Sequence, residues 1–188
     1  MGLPQLDSAA VEERLVFAAR RAGELYSLNG GDLARADSSE RQQLVQEFFF
    51  HLLGAVDVLA QLTNERLGLG QDPNVVTMGL LIRRIGTNPI KAKLELLYAN
   101  PSRAPMPTDP YSDEGYLYRA YNYRHQVTHR RAVPWLFRVG SGPMASFILD
   151  PRDPPGNGPN HSVKPYDAEM NLMLALIKRR VSNVIDRL

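Results

Sequence analysis

The chain alternates between long stretches in which apolar residues recur every three or four positions and short stretches dense in glycine and proline. The first kind marks amphipathic helices, and the second marks their connections. Asp7 or Ser8 can cap a first helix, with Glu12 and Glu13 early in it, where the helix dipole favours acids. Val11, Leu15, Ala18, Ala22 and Leu25 form its stripe, and Asn29-Gly30-Gly31 stops it. A second helix is predicted from Ser38 or Ser39 to about Leu67, with the stripe Leu44, Phe48, Leu52, Ala55, Leu59 and Leu62. Phe49, Phe50, Val56 and Val58 add apolar surface on its other sides. A helix apolar nearly all round belongs at the centre of a bundle.

A third helical stretch covers roughly Asn74 to Ala99, and Pro89 predicts a kink or break at Gly86 to Asn88. Pro101, Pro105, Pro107 and Pro110 mark an irregular connection. A fourth helix is expected from about Asp113 to Ala132, closed by Pro134. Trp135 to Val139 and Ala145 to Leu149 flank Gly140-Ser141-Gly142-Pro143 and read as a hairpin. Asp150 to Pro165 is a proline- and glycine-rich loop. Asp167 opens a last helix to Leu188, with Met170, Leu174, Ile177, Val181 and Val184 or Ile185 facing inward. The expected architecture is all-α: one domain over 1–188, an antiparallel bundle of about five helices with a small β-hairpin before the last.

Composition narrows the chemistry. The absence of cysteine excludes disulfides, zinc–thiolate sites and cysteine nucleophiles. A formal net charge of +2 is too mild to point to nucleic acid by itself. No continuous apolar run of about 18 residues is present, so no membrane span is expected. Met1 to Asp7 lacks a secretory pattern, which makes a cytosolic location the expectation.

The informative content lies on the fourth helix. It carries Tyr116, Tyr118, Tyr121 and Tyr123, followed by Arg124, His125, His129, Arg130 and Arg131. Histidine exchanges protons near neutral pH, arginine holds phosphate and stabilises charge that builds on it, and tyrosine rings stack on bases. Together these suit cleavage of an RNA backbone by its own 2′-hydroxyl. The plainer reading of the tyrosines is that they pack the bundle with their hydroxyls at its rim. Arg130 and Arg131, like Arg83-Arg84 and Lys178-Arg179-Arg180, read first as solvated faces; if RNA binds, they supply general phosphate attraction. Ser141 lacks the strand–turn–helix setting of a serine nucleophile, and His161 has no evident partner.

Arg124-His125-Gln126-Val127-Thr128-His129 resembles the Arg-polar-x3-His motif of HEPN (higher eukaryote and prokaryote nucleotide-binding) domains, and Glu47 to Gln61 resembles their second helix. The resemblance implies a metal-independent, cofactor-free endoribonuclease or an RNA-binding relative of toxin or defence type. It also implies a homodimer whose two motifs share a cleft, and an antitoxin as a possible partner. Carried over by position, Arg124 is the phosphate-binding residue and His129 the general base or acid; His125 fills the polar position where asparagine is common, and Tyr123 is a supporting neighbour. On a regular helix Arg124 and His129 stand about 140° apart. Either the helix frays near Thr128 or the site is built between two chains. Asp57, Gln61 and Asn64 form a polar stripe on the second helix; Asp57 can orient Arg124, or the stripe can lie in water at the bundle edge.

His125 and His129 also share one helical face at a spacing that suits two ligands of one metal, with His51 as a third on the second helix. That arrangement is similar to DinB-like metal-binding bundles. Against it, Pro134 follows the pair within a few residues, and a histidine on an apolar helix is more often a hydrogen-bonded core residue than a ligand.

Overall fold

The carboxylate of Asp7 accepts a hydrogen bond from the Ala10 N–H at 3.2 Å and so starts α1, Ser8–Asn29. α2, Ser38–Arg66, follows, then the short helices α3, Met78–Arg84, and α4, Lys91–Glu95. α5 is Asp113–Thr128 and α6 is Tyr166–Ile185; before α6, β1, Trp135–Arg138, and β2, Ala145–Ile148, pair antiparallel with Trp135 opposite Ile148. The computed structural model describes residues 7–29, 38–128, 135–138, 145–148 and 166–188. Gly30-Gly31, Pro134, the expected turn at Gly140-Ser141-Gly142-Pro143, and the expected loop from Asp150 to Pro165 with His161 lie outside the described residues.

α2 sits at the centre, touching α1, α3, α5 and α6, while α6 also packs on α1 and α5. Arg21 pairs with Glu47 whereas Arg14 reaches His51 further along, so α1 and α2 run antiparallel. Asp113 meets Arg180 whereas Arg119 meets Glu169, so α5 and α6 do too. The predicted stripes of α1 and α2 are buried, and Phe49 and Val56 are also fully buried. Each buried valine, leucine or phenylalanine contributes roughly 1.5–3 kcal/mol on leaving water. Phe50 departs from the expected all-round burial: it is 54% exposed, with the Arg14 guanidinium over its ring. By length and composition alone, Ser39–Arg66 is the one helix among the described residues that passes as a membrane span; more than half of its most apolar stretch is packed inside the fold.

The third stretch breaks where proline and glycine predict. Gly86 takes a positive φ of 64°, a conformation that would strain any other residue, and the chain turns before Pro89. Thr77 caps α3 by accepting from the Leu80 N–H at 3.3 Å. Arg180 departs from the solvated-face expectation. It is 8% exposed, bonds the Leu96 carbonyl at the end of α4, and pairs with Asp113 at the start of α5. One guanidinium thereby fastens three helices, which fixes the segment between α4 and α5 that walls the site below.

Candidate functional site

Ser112 starts α5: its hydroxyl accepts from the Gly115 N–H at 3.1 Å and its carbonyl from the Tyr116 N–H at 2.9 Å. From that fixed start, Tyr121, Arg124 and His125, spaced three and four apart, fall on one side of the helix. Facing them is the turn after α4. Tyr98, Asn100 and Pro101 form the opposite wall of a groove of about 320 Å³ that Tyr121, Arg124 and His125 complete. Arg124 Nη2 lies 2.5 Å from Asp57 Oδ2 on α2, with the two side chains 29% and 38% exposed. The expected pairing of Asp57 with Arg124 is therefore present, and it sets the guanidinium at the groove.

The polar stripe of α2 divides into two roles. Asp57 holds Arg124, while Gln61 and Asn64 hold the loop after α2. The Asn64 side chain donates to the Gln71 carbonyl at 2.8 Å and accepts from its N–H at 3.1 Å, and Gln61 donates to the Pro73 carbonyl at 3.1 Å. Asn64 is buried, so this end of the stripe is not bathed in water.

The tyrosines divide as well. Tyr116, Tyr118 and Tyr123 are buried. Tyr123, expected to support the site, is 1% exposed with its ring 5.0 Å from that of Phe49; it supports by packing, and a ring held there cannot stack on a base. Tyr121 lines the groove. Its hydroxyl donates to the Leu97 carbonyl at 2.9 Å, and its ring stands edge-on to Tyr98 at 5.9 Å. Burial, reinforced by the nearby Asp57 carboxylate, pushes its phenol well above the usual range, so it stays a protonated donor.

His51 is turned the other way. Its ring packs on Phe17 of α1 at 5.1 Å, and its Nδ1 accepts from Arg14 Nη1 at 3.3 Å. His51 faces α1 while His125 lines the groove between α5 and the turn after α4, so the two do not share a site. Among the described residues no group of three histidines or acids has metal-binding geometry. Burial, then the Arg14 and Arg21 charges, hold the His51 imidazole below its ordinary value of 6.5. Below pH 6.5 the unfolded chain therefore takes up a proton that the folded one refuses until the lower folded value is reached. The folded state is expected to lose stability as pH falls through 6.5, and His51→Gln is expected to flatten that slope. Unfolding midpoints across this window decide it; equal slopes in both proteins would remove His51 as the cause.

His129, Arg130 and Arg131 lie outside the described residues. Tyr98, Asn100 and Pro101 were not expected at the site. Tyr98 falls in the stretch expected to be helical to Ala99, whereas α4 ends at Glu95; Asn100 and Pro101 open the irregular connection, whose pattern does not say which helix it faces. No family model matches this chain, and no curated protein or solved structure matches it.

Proposed function

We propose that this chain is a HEPN-like domain that cleaves RNA without a metal, as a homodimer. In this reading Arg124 binds the scissile phosphate, and His129 moves the proton between the attacking 2′-hydroxyl and the departing oxygen. The observation that carries it is the Arg124 guanidinium, held by Asp57 at an open groove that it shares with His125. A half-exposed arginine oriented by a carboxylate is suited to a phosphate, because its planar fork of donors stays charged and pre-aimed. α5 is helical to Thr128, and on a regular continuation Arg124 and His129 would stand about 140° apart. In this reading Arg124 of one chain acts with His129 of the other, which brings both to one phosphate.

The test is cleavage of a mixed RNA substrate in excess EDTA. Wild-type protein is expected to cleave, and His129→Ala is not. Mixing inactive Arg124→Ala and His129→Ala proteins is expected to restore about a quarter of wild-type activity, because half the dimers are mixed and each carries one intact composite site. No cleavage by the wild type would remove the nuclease reading. Cleavage without rescue on mixing would remove the two-chain site.

A further inference from the structure

Resting on the RNA reading above, we propose that the groove beside Arg124, walled by Tyr98, Pro101 and Tyr121, is a slot for one unpaired nucleobase whose own phosphate sits on Arg124. Three observations support it. The first is size: about 320 Å³ lies at the small end of ligand sites, enough for a single nucleotide and not for a duplex. The second is chemistry. The lining is mostly ring and other apolar surface, with one guanidinium at the edge, the combination that holds a base by its face and its phosphate by charge.

The third is that the wall is built before any ligand arrives. The Asn100 carbonyl accepts from the Arg103 and Ala104 N–H groups, each at 3.0 Å. The Asn100 side chain accepts from the Ser102 N–H at 3.2 Å and donates to the Tyr98 hydroxyl at 3.3 Å. Tyr121 and Arg180 fasten the carbonyls of Leu97 and Leu96 just before it. The hydroxyl end of Tyr98 is seated over Gly79 of α3, where an added Cβ would stand 2.6 Å from the hydroxyl oxygen. A wall braced in this way loses little freedom on binding. The Asn100 amide oxygen and one of its N–H groups are engaged in the turn, which leaves the ring surface of the slot as the grip on a base.

Binding of adenosine monophosphate and of ribose 5-phosphate, followed by titration calorimetry or by NMR shifts, tests this directly. Wild-type protein is expected to hold the nucleotide at least about fivefold tighter than the sugar phosphate. Arg124→Ala weakens both ligands. Tyr98→Ala brings the two affinities together, and Tyr98→Phe keeps them apart. Gly79→Ala, which displaces the Tyr98 ring without lining the groove, narrows the difference. Equal affinities in the wild type overturn the slot, and that comparison needs no variant to fold. RNA cleavage that persists beside equal affinities sinks the slot and leaves the nuclease reading intact. A base-dependent affinity without cleavage sinks the nuclease reading and supports the slot. Failure of both measurements removes both.

Discussion

Glu169→Ala is expected to lower the unfolding free energy by about 3–5 kcal/mol, the largest effect of any single substitution proposed for this chain. Glu169 and Arg119 face one another at 2.8 Å between α6 and α5, 1% and 2% exposed. The contact is an ion pair rather than an aligned hydrogen bond. The guanidinium also lies over the Tyr116 ring at 4.9 Å and the Tyr111 ring at 5.6 Å, which stabilise its charge without cancelling it. Deleting the carboxylate leaves a charge in a place where water cannot reach it, and that desolvation dominates the cost. For a domain whose whole stability is about 5–15 kcal/mol, the loss is a large fraction. Urea unfolding measures it. The double variant Arg119→Met with Glu169→Leu is expected to recover most of the loss, because apolar side chains of similar size need no hydration. A loss under about 1 kcal/mol for Glu169→Ala would show that the pair is hydrated in solution and that its burial is not the controlling term.

This pair also shows where sequence reasoning stops. The helix stripes were readable because burial follows a simple period: Val11 through Leu25 on α1 and Leu44 through Leu62 on α2 face inward as the spacing predicts. The break at Gly86 and Pro89 was readable because both residues restrict the backbone locally. Arg119 and Glu169 were not, because charge predicts exposure unless a partner on a distant helix neutralises it. A clue was present: Arg119 stands three after Tyr116 and four before Tyr123, at the spacing of a buried stripe. Arg180 hid in the same way inside a basic run that looked solvated. At the site, the Asp57–Arg124 pair was one of two readings that the polar stripe of α2 allowed, the other being exposure to water, and only the packing of α5 on α2 decides between them. The Tyr98–Pro101 wall could not be read, since Tyr98 lies in a stretch whose spacing predicts helix although α4 ends at Glu95, and the connection after it gives no direction. It depends on Gly79, whose missing side chain matters only once the Tyr98 ring lies over it.

Arg124→Ala is expected to cut RNA cleavage by about a hundredfold to a thousandfold, the range for removing one donor that stabilises a developing negative charge. It should cost less than about 1 kcal/mol of stability, because the Asp57–Arg124 pair is partly open to water and such pairs are weak. The contrast with Arg119–Glu169 is the point. A buried pair is costly to break, so its loss shows in folding; a half-exposed one is cheap to break, so any large effect of its loss must come from function. Arg124→Lys should not rescue cleavage, since an ammonium lacks the planar fork that meets a carboxylate and a phosphate together. Asp57→Asn sharpens the argument. A neutral amide no longer competes for the guanidinium, so RNA should bind at least as tightly as to the wild type. Cleavage should nevertheless slow by about tenfold, because the fork is no longer aimed and small misplacements are expensive at the transition state. Faster cleavage by Asp57→Asn would mean that the carboxylate masks Arg124 instead of orienting it. A fall in stability matching the fall in rate for Arg124→Ala would place Arg124 in the fold and not in the chemistry.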